Sequence, residues 1–187
     1  MDLLDELRRS EMLTVSVSGD YAVTPALMPA GSFRVTDRCV SKPPGLSWTL
    51  SPPDLGLPDL PVALEVRVEP AGEDAAGRPL VRLAVDQEIG VRLPGRRIVV
   101  ERARGSLLVA LSPPRAPAAQ APCAGGPRVA AVSLETVGED SVIEVEGRAS
   151  LLGLSRRATL RITVLRLEGT AWLPPPVTAG PRTPRPR

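Results

Sequence analysis

The residues of this chain with the clearest chemical potential are arginines that crowd two stretches of alternating sequence. A guanidinium group presents its N–H donors in a planar fork that matches a phosphate or a carboxylate. Two neighbouring hairpins that carry such groups could line a groove for a polyanion, so one hypothesis is contact with the phosphate backbone of nucleic acid. The candidate residues are Arg92, Arg96, Arg97, Arg102, Arg104, Arg156, Arg157 and Arg161.

A simpler explanation of the same arginines is favoured. Solvated strand faces carry cross-strand ion pairs, and Glu101, Glu144 and Glu146 lie in the same stretches. Proteins that bind single strands normally stack bases on aromatic side chains, whereas this chain has only one Tyr, one Phe and two Trp. We therefore expect these arginines to be mainly surface residues.

Catalytic chemistry has little support in the sequence. The chain contains no histidine, which closes the Ser-His-Asp and Cys-His mechanisms to a single copy. A Ser-Lys pair would need Lys42 beside Ser47, and nothing else supports it. The stretch 72–79 has the glycine spacing of a phosphate-binding loop but lacks its Lys and its hydroxyl residue, so it predicts a hairpin turn. We expect no catalytic residue and no enzyme activity.

Metal and cofactor sites are not expected either. The carboxylate pairs Glu73-Asp74 and Glu139-Asp140 each follow a glycine, as solvated turn residues do. A zinc site needs four ligands, and the chain has two cysteines and no imidazole. For Cys39 and Cys123 we expect buried free thiols, with one long-range disulfide as the alternative.

The location of the protein is predicted from its termini and its hydropathy. The N-terminus is acidic where a secretory signal is basic, and no apolar run approaches the roughly 18 residues of a membrane span. These features favour a cytoplasmic protein without a membrane partner.

The segments that carry the arginines have the alternating pattern that predicts β-strands. Residues 62–69 alternate apolar and charged side chains, and successive strand residues point to opposite faces of a sheet. Similar patterns predict strands at 12–18, 47–50, 80–86, 89–93, 97–102, 106–111, 128–136, 141–149, 157–167 and 170–173. Residues 2–9 predict one short helix. The fold class expected is all-β, a β-sandwich or a partly closed β-barrel, with a disordered C-terminal tail.

Proline clusters divide the chain, because proline cannot donate to a strand ladder. The predicted segments are an N-terminal helix and β segment (1–53), a connection (54–61), a β unit (62–111), a linker or loop (112–127), a second β unit (128–173) and a tail (174–187), and we expect them to form one domain. Pro52, Pro113 and Pro174 stand 61 residues apart both times. A three-unit repeat of about four strands each, as in a β-trefoil, is the alternative fold.

Charge is distributed unevenly between the two halves of the chain. Residues 1–87 carry 8 Lys/Arg against 13 Asp/Glu, a net charge of −5, and residues 88–187 carry a net charge of +7. Two halves of opposite net charge permit docking of a partner or head-to-tail association. The sequence thus favours a non-enzymatic interaction or assembly module that binds a protein partner or forms a homo-oligomer. The alternative function is a nucleic-acid-associated protein.

Overall fold

The protein is all-β with one short helix, as the sequence predicts. The structure is a computed structural model and describes residues 2–26, 29–51, 62–92, 98–114, 128–138, 141–151 and 154–174. Helix α1 spans Leu3–Arg9. The strands in chain order are β1 (Met12–Thr24), β2 (Gly31–Ser41), β3 (Ser47–Leu50), β4 (Leu64–Glu73), β5 (Pro79–Arg92), β6 (Ile98–Ser112), β7 (Val129–Thr136), β8 (Val142–Leu151) and β9 (Leu154–Leu173).

The strands form one antiparallel sheet that curls around one main core. Its order is β2-β1-β9-β7-β6-β5-β4-β3, and β8 lies in line with β7 because both pair with β6 and β9. Phe33 of edge strand β2 and Trp48 of edge strand β3 belong to the same buried cluster as Val109 in the centre of the sheet. The sheet is therefore a partly closed barrel.

Three strands each join two segments that the sequence patterns predict separately. Within the described residues, the predicted segments 80–86 and 89–93 are parts of the single strand β5, which ends at Arg92, and the predicted segments 97–102 and 106–111 are parts of β6, which begins at Ile98. Glycines lie at or near the expected breaks. Gly90, with φ +66°, lies in a bulge between Glu88 and Val91, whereas Gly105, with φ +155°, continues the regular pairing and leaves no room for a side chain against the carbonyl oxygen of Val142. Likewise, 157–167 and 170–173 are both parts of β9.

The sheet lacks the equivalent units that a β-trefoil requires. Prolines at 113 and 174 do follow the ends of β6 and β9, but each third of the chain contributes three strands rather than about four. The thirds also pair differently, since β4, β5 and β6 form a meander whereas β7 and β8 lie in line. The trefoil alternative is wrong for the described residues. The connection 54–61, the loop residues 115–127 and the tail from 175 lie outside them.

Helix α1 is fixed by its first residues and by one buried leucine. Asp2 caps the helix, because its side chain accepts a hydrogen bond from the backbone N–H of Leu4 at 2.9 Å. Leu7 is fully buried in the core of the sheet. The helix therefore packs inside the curl and fills part of it.

Lys42, the only lysine, is buried where helix α1 meets the connection between β2 and β3. It is 1% exposed. Its Nζ donates to the carbonyl oxygens of Ser10 at 3.1 Å and Gly45 at 2.9 Å, and to those of Arg8 and Pro43 at 3.5 and 3.3 Å. These carbonyls belong to the C-terminal end of the helix and to the connection. One side chain thus ties the two segments together, and it is not a partner for Ser47.

The environment of Lys42 makes the free energy of unfolding depend on pH in the alkaline range. Burial lowers the pKa of Lys42 from 10.5 to about 8. Between these values the unfolded chain binds more protons than the folded one, so the free energy of unfolding is expected to rise with pH. Urea titrations at intervals from pH 7 to the ordinary tyrosine pKa of about 10 measure this rise. No histidine and no other lysine interferes, and a flat profile would contradict the prediction.

The prediction of free thiols is wrong for Cys39, which is disulfide-bonded. The other cysteine of the chain, Cys123, lies outside the described residues. Cys39 packs beside Met12 and Trp172 on the face of the sheet away from the main core.

Candidate functional site: arginines at one end of the sheet

Strand register brings the two arginine-rich hairpins together. Strand β6 pairs with β5 on one side and with β8 on the other, and β8 pairs with β9. The hairpin β5–β6 and the hairpin β8–β9 are therefore adjacent along their length. The expectation that they are neighbours is met, and their arginines fall into two groups with different surroundings.

The first group alternates with carboxylates across the sheet. Asp86, Arg104, Glu144 and Arg161 lie opposite one another in a row that crosses β5, β6, β8 and β9. Arg104 donates to Glu146 at 3.0 Å and lies 3.6 Å from Glu144. We call this row the charge ladder. It agrees with the interpretation of Arg104 as a surface residue in cross-strand ion pairs, and these pairs leave few of its guanidinium donors for a polyanion.

Arg102 belongs to the same ladder. It donates to Asp86 Oδ1 at 2.7 Å. The hydrogen bond and the charge of Arg102 lower the pKa of Asp86, and the carboxylate raises the pKa of Arg102. Both side chains are thus held in their charged forms by each other, and Arg102 is already neutralised.

The second group, which we call the basic end, comprises Arg92, Arg148, Arg156 and Arg157. Arg92 lies opposite Val99, Val99 opposite Arg148, and Arg148 opposite Arg157, so three arginines share one row across four strands. Neighbouring strands lie about 4.8 Å apart, which places the backbones of Arg148 and Arg157 close together. Like charges directly opposite each other destabilise a sheet, so this row favours an external anion.

Carboxylates are scarce at the basic end. Arg148 donates to Glu101 at 2.7 Å. Arg92, Arg156 and Arg157 are exposed and form no ion pair with any residue that the structure describes. Three arginines at the basic end thus lack an ion pair with the described residues, in contrast to Arg102 and Arg104 of the ladder beside it.

Exposed apolar side chains accompany these arginines. Leu154 begins β9 and is 63% exposed, and Val91 near the end of β5 is 40% exposed. Exposed apolar groups beside arginines are typical of protein docking surfaces, where arginine is enriched and buried apolar contacts supply affinity.

Three of the four arginines at the basic end, Arg92, Arg156 and Arg157, are among the candidates from the sequence. Arg148 was not a candidate, although strand register places it opposite Arg157. Two candidates, Arg96 and Arg97, lie outside the described residues. Arg102, Arg104 and Arg161 belong to the ladder rather than to the basic end.

The carboxylate pairs behave as turn residues where they are described. Asp74 accepts hydrogen bonds from the backbone N–H groups of Ala76 at 2.9 Å and Arg78 at 2.8 Å, and these bonds lower the pKa of its carboxyl group. The stretch 72–79 is therefore a hairpin turn, as predicted. The pair Glu139-Asp140 lies outside the described residues. Within the described ranges, no group of three or more potential metal ligands occurs.

Comparison with known proteins adds no relative. The chain matches no protein-family model, no curated protein and no solved structure. Among the residues that the structure describes, no helix is long and apolar enough to span a membrane.

Proposed function

We propose that this protein is a non-enzymatic interaction module that docks an acidic protein partner on its basic end. The observation that carries the proposal is that Arg92, Arg156 and Arg157 form no ion pair with the described residues, whereas Arg102 and Arg104 of the neighbouring ladder are each paired with a carboxylate. Leu154, which lies on the same face of β9 as Arg156, supplies apolar surface for the same contact. Charge gives such a surface its partner preference, and the apolar contact adds affinity.

The side chains that catalysis would need support the non-enzymatic part of the proposal. The chain has no histidine. Lys42 is buried against four backbone carbonyl oxygens, and Cys39 is engaged in a disulfide. Nucleophilic catalysis needs an activated and accessible side chain, which neither residue offers.

The open edge of the sheet is a weaker docking surface. Strand β2 pairs only with β1 among the described strands, which leaves its outer edge unpaired. Asp37 interrupts this edge with a bulge at φ +49°, and Arg34 and Arg38 flank the bulge. Bulges and charged residues are features by which edge strands avoid pairing. The proposal therefore rests on the basic end rather than on strand addition.

Nucleic acid is the second candidate partner. Guanidinium groups at Arg92, Arg156 and Arg157 are free to bind phosphate oxygens bidentately, which favours this candidate. It predicts binding that weakens steeply with salt, because each phosphate contact releases a counterion. The absence of stacking aromatics in β5, β6, β8 and β9 places it second.

Replacing Arg156 and Arg157 by alanine is expected to weaken the binding of an acidic peptide about tenfold or more, since two charge-assisted contacts are lost. The probe is a fluorescein-labelled glutamate-rich peptide that contains leucines, titrated with protein and followed by anisotropy at low and near-physiological salt. The matched control replaces Arg34 and Arg38, which are exposed on β2 and change the net charge equally. Equal losses in both variants would show only a general charge effect.

The same titration separates the two candidates. Leu154→Ser is expected to weaken binding of the peptide severalfold, because an apolar contact is lost. A labelled single-stranded oligonucleotide makes no use of this leucine, so its affinity should not change. Tight oligonucleotide binding with a steep salt dependence, together with no peptide binding, would replace the protein partner by nucleic acid.

A further inference from the structure

The sheet carries a second charged end that complements the first. Strand β5 runs for 14 residues from Pro79 to Arg92. At about 3.3 Å per residue, its two ends are roughly 45 Å apart. The basic end lies where β5 finishes, and the hairpin β4–β5 lies where β5 begins.

The hairpin β4–β5 is acidic. Glu69 and Glu73 of β4 are exposed and form no ion pair with the described residues, and Asp74 follows them in the turn. We call Glu69, Glu73 and Asp74 the acidic hairpin. Asp74 is held by Arg78, and Glu69 lies opposite the exposed Arg82, so the three carboxylates of the acidic hairpin exceed these two arginines by one negative charge. Positive and negative surfaces therefore occupy opposite ends of the same strand.

Small apolar residues accompany these carboxylates. Ala75 and Ala76 are exposed at the tip of the acidic hairpin. Leu154 and Val91 are exposed at the basic end. Each end thus combines charge with an apolar contact surface, and the two charges are opposite, as the two sides of one interface require.

We propose that a second copy of this chain is the partner, with its acidic hairpin docked on the basic end of the first copy. This inference rests on the proposed function, because it names the occupant of the same surface. The contact is heterologous: each copy uses one end to bind and leaves the other end free. Association therefore continues from copy to copy and forms head-to-tail chains unless the geometry closes a ring.

Two neutralising variants test this arrangement by sedimentation velocity. Arg156→Ala with Arg157→Ala removes charge from the basic end, and Glu69→Gln with Glu73→Gln removes it from the acidic hairpin. The unmodified protein is expected to associate with rising concentration and to dissociate at high salt. Each variant alone should associate about tenfold more weakly or worse, since one side of every contact is lost.

The mixture of the two variants gives the sharpest result. Each variant keeps the end that the other lacks, so an equimolar mixture should form 1:1 dimers and nothing larger. Thermal melting of each variant shows that it is folded. Because all four positions are exposed, little loss of stability is expected. Larger assemblies in the mixture, or none, would overturn the head-to-tail contact.

The outcomes also separate this inference from the proposed function. If the unmodified protein stays monomeric at every concentration but the glutamate-rich peptide still binds the basic end, self-association is wrong and the docking surface stands. If neither association nor peptide binding occurs, both proposals are wrong. If the variants associate as well as the unmodified protein, the contact lies elsewhere and this inference is rejected.

Discussion

Lys42→Met is expected to lower the free energy of unfolding by about 3 kcal/mol, because it leaves buried carbonyl oxygens without a donor. The carbonyls of Ser10, Pro43 and Gly45 accept hydrogen bonds from Lys42. Methionine keeps the length and the packing of the side chain but donates nothing. The substitution therefore removes the hydrogen bonds that tie helix α1 to the connection between β2 and β3, together with the contact of the ammonium group over the Trp48 ring.

Urea denaturation of the two proteins at neutral pH measures this difference. Arg38→Met is the matched control, because it removes an exposed cation from β2, the strand that ends just before Lys42. It should change the free energy of unfolding by less than about 0.5 kcal/mol. The Lys42 variant should also lose the rise of stability with alkaline pH. A change below about 1 kcal/mol for Lys42→Met would show that these carbonyls are satisfied without the lysine.

Reduction of the disulfide at Cys39 is expected to have a similar effect. The two cysteines are 84 residues apart in sequence. A covalent link over a loop of this length restricts the unfolded chain and stabilises the fold by about 4 kcal/mol in the loop-entropy description. Cys39→Ser should lower the free energy of unfolding by a comparable amount, because serine replaces one sulfur without adding bulk.

Thiol counting under denaturing conditions checks the bond directly. The protein purified without reductant should show no free thiol, and the reduced protein should show two. Two free thiols before reduction, or equal stability of both forms, would contradict the prediction. Disulfides persist mainly in oxidising compartments, so the bond at Cys39 does not favour the predicted cytoplasmic location.

Alternation and proline spacing were sufficient to predict the fold class. The pattern of residues 62–69 became β4 with Leu64, Val66 and Val68 buried, because a half-buried strand has a period of two. The patterns could not predict that β5 and β6 run through their glycines. A glycine in a strand pattern indicates a bulge as readily as a turn, and only the register of the partner strand decides between them.

Most of the arginines in these two hairpins could be named from the sequence. Which of them pair with carboxylates, and which do not, could not be predicted. Charge order along one strand does not show which carboxylate stands opposite, so Arg102 and Arg157 looked alike in sequence. Register places Arg102 beside Asp86 and places Arg157 opposite Arg148. The burial of Lys42 was also hidden, because neighbouring prolines indicated an exposed loop and the carbonyls that bind it come from distant residues.

The central claim is that the basic end is the surface on which an acidic partner docks, and arginine footprinting tests it most directly. Phenylglyoxal modifies accessible arginines, and mass spectrometry reads the extent of modification at each one with and without the glutamate-rich peptide. The account predicts protection of Arg92, Arg156 and Arg157 and unchanged modification of Arg34 and Arg38. Protection at Arg34 and Arg38, or equal protection at all five, would contradict it.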